Sequence, residues 1–196
     1  MKFSIDRSAL LRSLSHVQSA VERRNTIPIL ANVLLKAEGN SLSLSTTDMD
    51  LEIDETVAAT VANAGETTAP ATTLYDIVRK LPDDSVIEVE TSESNALMTV
   101  RAGKSQFKLG CLPTADFPQL SADDMETSFE LPAQELRDLI DKTRFAISTE
   151  ETRYYLNGIY IHAHQIDNMQ LLRAVATDGH RLARFEMPLP EGAATM

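Results

Sequence analysis

The densest cluster of chemically capable residues is Thr177, Asp178, Gly179, His180 and Arg181. A carboxylate two residues before an imidazole is raw material for an acid–base or metal pair, and on a continuous strand the two side chains would share a face. Gly179 between them favours a turn, which would separate the two, and no third partner is evident. The plainer reading has Asp178 capping the backbone amides of that turn, which leaves a hydrolase built on Asp178 and His180 remote. The chain also lacks a glycine-rich phosphate loop, Cys or His paired at ligand spacing, and a G-x-S-x-G elbow. No metal, no cofactor and no enzymatic activity are therefore expected.

The other candidate chemistry is electrostatic. With 18 basic against 29 acidic residues the net charge is −11, which by itself disfavours nucleic acid, since phosphate binding rests on Lys and Arg. The charges are unevenly placed, however. Residues 7–24 hold Arg7, Arg12, Arg23 and Arg24 against Glu22 alone, a local balance of +3, whereas residues 48–55 carry Asp48, Asp50, Glu52, Asp54 and Glu55 with no base. A basic element on an acidic body can face DNA on one side and repel it elsewhere.

Apolar spacing indicates the elements that must position these residues. Leu10, Leu14, Val17 and Val21 form one helical stripe from about Asp6 or Arg7, with Arg12, His16, Ser19 and Arg23 on the opposite side. A second helix has Thr72 or Thr73 as N-cap, a stripe of Leu74, Ile77, Val78 and Leu81, a stop at Pro82, and Arg79 and Lys80 outward. In a third, Pro132 suits the first turn, Leu136, Ile140, Thr143 and Ile147 form the stripe, and the helix ends before Phe145. Strand-like segments fall at 33–36, 41–45, 51–58, 86–90, 96–101 and 105–109, with hairpin turns at 38–40 and 102–104. The expected class is α+β, antiparallel sheet with helices laid on one face.

These elements occur twice. Segment 3–14 (FSIDRSALLRSL) reappears as 129–140 (FELPAQELRDLI), and 30–35 (LANVLL) as 156–161 (LNGIYI), both at an offset of 126. Segment 45–48 (STTD) matches 175–178 (VATD) at an offset of 130, so an insertion of 130 − 126 = 4 residues falls in the polar stretch 162–169. The period exceeds the roughly 20 to 50 residues of solenoid units, so each copy should be a domain with its own core. Copy two begins near Thr127, and nothing answers the 67–120 portion of copy one, so the chain is expected to be a fragment of a longer repeat protein.

The composition is 43% hydrophobic and 24% charged, with no apolar run near the ~20 residues of a membrane span. No secretory h-region follows Met1, and the single cysteine, Cys111, cannot form an internal disulfide. A cytoplasmic protein is inferred.

Four segments, 28–32 (PILAN), 112–118 (LPTADFP), 153–158 (RYYLNG) and 176–183 (ATDGHRLA), closely resemble the bacterial sliding clamp, the beta subunit of DNA polymerase III. The resemblance runs from residue 1 to 188. It implies a processivity factor, a ring of two protomers with three copies of one domain each, helices lining the central hole and sheets outside. Domain one would then span 1–122, with a linker at 123–127, an incomplete domain two at 128–196, and domain three absent. Double-stranded DNA would be held by topology, with Arg24 and Arg23 as leading contacts and Arg7, Arg12, Arg79 and Lys80 as weaker ones. In the family a second loop also approaches DNA; here it is 148–152, and its acidic pair Glu150 and Glu151 opposes phosphate contact.

The resemblance also implies a docking cleft for polymerase III and clamp-loader peptides containing Gln, Leu and Phe. Mapped motif to motif, that cleft uses Arg153, Tyr155, Leu156, Thr177, Gly179, His180, Arg181 and Leu182. Taken singly, Tyr154, Tyr155 and Leu156 suit a core as well as a cleft. The rest of the family's cleft comes from later segments, so this chain should bind such peptides weakly or not at all. Ring closure would use strand 104–109, placing Phe107 and Leu109 at an exposed dimer seam, the alternative being Phe107 as an ordinary core residue of copy one. The alternative from another class is a stand-alone acidic adaptor that binds proteins and never touches DNA.

Overall fold

The computed structural model describes residues 1–21, 27–92, 94, 96–118 and 128–193. The chain divides into two compact units, Met1–Ser121 and Ala122–Met196.

Unit one is two antiparallel sheets with two helices packed on them. Its strands are β1 (Lys2–Asp6), β2 (Asn32–Glu38), β3 (Ser41–Thr47), β4 (Glu52–Ala58), β5 (Thr60–Asn63), β6 (Gly65–Pro70), β7 (Val86–Thr91), β8 (Leu97–Ala102) and β9 (Ser105–Gly110). They assemble in the orders β5-β1-β7-β8-β9 and β4-β3-β2-β6. Period-2 alternation drives this arrangement: in β3 Leu42 and Leu44 go inward and the serines outward, and in β8 Met98, Val100 and Ala102 go inward. Helix α1 (Arg7–Val17) buries Leu10, Leu14 and Val17, and α2 (Ala71–Lys80) buries Leu74 and Val78, in one core shared by both sheets. Each such fully buried side chain contributes about 1.5–3 kcal/mol.

Three expectations need correction here. Helix α2 starts at Ala71 with Pro70 as N-cap, so Thr72 and Thr73 are exposed first-turn residues and cap nothing. Strands β1, β5 and β6 add to the expected segments: β1 alternates with Phe3 and Ile5 inward, whereas β6 (GETTAP) escapes the apolar pattern by burying Thr67 and Thr68 together with Ala69. Val21 lies beyond the end of α1 and packs only partly buried against the core.

Unit two is a three-stranded antiparallel sheet, β10 (Tyr160–Ile166), β11 (Met169–Thr177) and β12 (Leu182–Pro188), with α3 (Ala133–Asp141) packed on it. Its strand registers reproduce unit one. The pair Leu34↔Ser45 becomes Tyr160↔Val175 and Glu38↔Ser41 becomes His164↔Leu171, the first partner displaced by 126 and the second by 130. The four-residue insertion is thus a longer hairpin tip, adding Gln165, Ile166, Met169 and Gln170 around a turn at Asp167. Thr47↔Glu52 likewise becomes Thr177↔Leu182.

Of the stripe expected of α3, Leu136, Ile140, Thr143 and Ile147, only Thr143 is buried, and Ile147 is half-buried beyond the helix. Thr143 is fully buried and donates to the Leu139 carbonyl at 2.6 Å, but Leu136 and Ile140 are exposed and Leu139 is the anchor. In unit one the corresponding Leu10 and Leu14 lie in a core to which α2 and the five-stranded sheet contribute, and unit two has no described counterpart of those elements. Among the described residues no helix is long and apolar enough to cross a membrane.

Candidate functional site

One turn recurs at equivalent places in the two units. In unit one the Thr47 hydroxyl accepts from the Met49 amide at 3.0 Å, and Asp48 Oδ1 accepts from the amides of Asp50 (3.0 Å) and Leu51 (2.7 Å). In unit two the Thr177 hydroxyl accepts from the Gly179 amide at 3.1 Å, and Asp178 Oδ1 accepts from those of His180 (3.0 Å) and Arg181 (2.9 Å). Met49 (φ 84°) and Gly179 (φ 88°) take the same left-handed conformation. The capping reading of Asp178 holds. Its carboxylate takes backbone N–H groups and the Arg181 guanidinium (2.9 Å), not an imidazole, so no Asp–His dyad forms. The two amides, chiefly, and then the guanidinium hold the Asp178 pKa down at about 2.

Facing this turn is a 3₁₀ segment, Glu151–Leu156, tied back by the Ser148 amide to the Leu156 carbonyl at 3.0 Å. A Cβ on Gly179 would lie 3.1 Å from Arg153 Nη1, so Arg153 lies close against the turn, and the φ of 88° is what favours glycine there. Arg153 itself pairs with Glu150 at 3.2 Å. Between this segment and the sheet lies a cleft of about 430 Å³ lined by residues 154–160 and 175–177, within the range of small-ligand sites.

Of the expected cleft residues, Tyr155, Leu156 and Thr177 line this cavity. Arg153 and Gly179 meet beside it, while His180, Arg181 and Leu182 form the exposed shoulder of the turn. The core alternative fails for both tyrosines, Tyr154 being 79% and Tyr155 70% exposed. Sequence reading left Phe145 and Tyr160 out of this surface. Phe145 is exposed with the Arg181 guanidinium 5.9 Å from its ring centre, and Tyr160 lines the cleft. Its place opposite Val175 in the sheet was the signal for Tyr160.

The candidate basic face in unit one is thinner than its sequence suggests. Arg23 and Arg24 lie outside the described residues. Arg7 is corrected: only 13% of its side chain is exposed, and it donates to the Val78 carbonyl (3.0 Å) and the Arg79 carbonyl (2.7 Å) and pairs with Asp83 (2.8 Å). It caps the C-terminal end of α2, where the helix dipole and unpaired carbonyls favour a cation. Arg79 pairs with Asp76 at 3.0 Å and lies over Tyr75. Arg12 and Lys80 are exposed and make no ion pair among the described residues. One turn after Arg12, His16 Nδ1 meets Glu55 Oε1 at 2.5 Å, and that bond, aided by Ser13 and the charge of Arg12, holds the Glu55 carboxyl below the usual carboxylate range.

Strand β9 is a sheet edge, but the exposed seam expected at Leu109 is corrected. Leu109 is 8% exposed and belongs to the core, and Phe107 packs half-buried against it. Alternation puts Phe107 and Leu109 on one face of the strand, and that face points inward.

A helix-on-sheet unit followed by a partial second copy of it, with a surface cleft on the second, defines a tandem-repeat α+β protein. Residues 1–121 match the family model for the DNA polymerase III beta subunit, N-terminal domain, and residues 130–195 that for its central domain. The chain belongs to the DNA polymerase III beta subunit family.

The beta sliding clamp of Caulobacter vibrioides is 56% identical over 193 residues, covering 98% of this chain and 52% of the relative. That of Escherichia coli K12 is 40% identical over 190 residues, covering 96% and 50%. A crystal structure of the Caulobacter crescentus beta sliding clamp superposes with a TM-score of 0.97 at 55% identity, covering all of this chain and 52% of that one. A DnaN sliding clamp from Bartonella birtlesii bound to griselimycin gives 0.95 at 50% identity, with coverage of 100% and 52%. The chain therefore spans about half the length of the relatives it matches.

Proposed function

We propose that, in a protein of its relatives' length, this chain supplies part of a DNA polymerase processivity factor that encircles duplex DNA, slides on it and docks polymerase and loader subunits. The family match of both units carries the reading. Residues 1–122 act as clamp domain one and residues 128–196 as part of domain two, a third domain completes each protomer, and two protomers close the ring. The protein is nonenzymatic and works in the cytoplasm on chromosomal DNA. Encirclement needs no tight grip, which suits a helix face with few free cations: Arg12 and Lys80 make weak, exchangeable phosphate contacts, and Arg23 and Arg24 are assigned with them from sequence. Strand β9 is the edge that pairs across the dimer seam, with Phe107 and Leu109 supporting it from the core side.

The cleft beside Tyr155, Leu156 and Thr177 takes an apolar peptide anchor, and Arg153, Gly179, His180, Arg181 and Leu182 form its polar and apolar rim. The griselimycin-bound relative supports ligand binding by a clamp of this family. The stand-alone adaptor reading has no observation in its favour.

The full-length protein should be loaded on circular DNA and the circle then cut. Release on linearisation is expected, and retention on a linear duplex with free ends would refute topological binding.

A further inference from the structure

The outer face of β10 carries three aromatic rings in a row. Tyr160, His162 and His164 alternate with Ile161 and Ala163, so all three side chains leave the same side of the strand, successive ones about 6.6 Å apart along it. The Tyr160 and His162 rings stack at 4.8 Å, and those of His162 and His164 meet edge to face at 5.8 Å and 76°. Two imidazoles bound to one tetrahedral zinc, with Zn–N bonds of about 2.0–2.1 Å, have ring centres roughly 5–5.5 Å apart. The pair stands close to that spacing without any change of backbone.

A second observation fixes which nitrogen is available. His162 Nδ1 lies 3.0 Å from the Ala163 carbonyl oxygen, which can only accept, so in the neutral ring Nδ1 carries the proton and Nε2 holds the lone pair. Metal-bound histidines commonly hold their second nitrogen in this way. Copy one shows that side chains at these positions reach one another. An offset of 126 maps Lys36 to His162 and Glu38 to His164, and there Lys36 Nζ and Glu38 Oε2 pair at 3.2 Å. Opposite His162 in the sheet, Arg173 is held at 2.6 Å by Glu186, which offsets its repulsion of a cation.

We propose that His162 and His164 form a two-imidazole site for a late first-row divalent cation of the zinc, nickel and copper group, solvent completing the coordination. Imidazole suits these ions, whereas magnesium and calcium prefer oxygen ligands. Among the described residues no three or more His, Cys, Asp or Glu side chains converge, so the protein supplies two ligands and the site is of the open kind. Sequence spacing alone does not flag it, because His-x-His chelates only when the segment is a strand and both rings are on an uncovered face. The site adjoins the cleft through Tyr160, which lines the cleft and stacks on His162.

The test titrates the untagged 196-residue chain with zinc chloride by calorimetry, following the imidazole Cε1–H resonances by NMR. One ion should bind per chain, moving the His162 and His164 resonances together. His162→Gln and His164→Gln should each weaken binding by no less than the roughly tenfold that loss of an outer-shell partner costs. The double variant His162→Lys, His164→Glu installs the pair that copy one already carries, so it should fold and bind no zinc. Binding that survives the double variant, that needs only one of the two histidines, or that is lost in His16→Gln overturns the proposal, as does a parent chain that takes up no zinc.

Discussion

Asp178 shows how a residue that looks catalytic can be conformational. Both carboxylate oxygens are engaged, Oδ1 by two backbone amides and Oδ2 by Arg181, and the His180 ring is not among the partners. Since its pKa falls from 3.8 to about 2 on folding, the stabilisation is complete above the unfolded value and is lost as the pH drops through 4 toward 2. The amide resonances of His180 and Arg181 should therefore shift together with a midpoint near 2, and Asp178→Ala should abolish that transition while loosening the turn. A midpoint near 4 would mean that the amides do not hold the carboxylate. The Thr-Asp turn was legible at residues 47–48 and 177–178 because a short polar side chain competes with water for nearby amides whatever surrounds it. The contact of Gly179 with Arg153 was not legible, since the two are separated in sequence by most of the sheet.

At the scale of elements, Arg7 and α3 separate charge and pattern from location. Arg7 sits on the helix expected to be basic, yet its guanidinium closes the end of α2. Arg7→Met should lower the stability of unit one by about 1–3 kcal/mol in urea unfolding. The salt dependence of DNA binding by the full-length protein should be unchanged by it; a slope that falls would return Arg7 to the DNA face. In α3 the apolar stripe alone did not distinguish buried from exposed positions. Leu139→Ala, at a fully buried site, should cost about 2–5 kcal/mol, whereas Leu136→Ala should stay within about 0.5 kcal/mol in this chain. Equal effects would mean that Leu136 is covered in solution. Helix existence followed from 3.6-residue spacing, but which part of the stripe is buried depends on the neighbours present.

For the molecule as a whole, a net charge of −11 surrounds a small set of exposed cations on the helices. Sliding as proposed above calls for a thin electrostatic hold, because each phosphate neutralised adds about 0.9 to the slope of log affinity against log salt. Arg12→Ala combined with Lys80→Ala removes both cations from each of two protomers and should reduce that slope by about 3.6 at most in the full-length ring. Retention on closed circles should survive, since topology does not depend on salt. Loss of retention on closed circles would show that contact, not encirclement, holds the DNA.

The sequence by itself determined the duplication, the α+β class, the four-residue insertion implied by offsets of 126 and 130, and the capping role of Asp178. Each follows from local spacing or from similarity between two stretches of one chain, and both survive without knowledge of neighbours. Only the tertiary structure decided that Arg7 is a helix cap, that Leu109 faces the core, that Tyr154 and Tyr155 are exposed, and that His162 and His164 meet. These depend on which residues distant in sequence arrive on the same face, and so on how strands pair and helices pack, which a residue's type and immediate spacing do not specify.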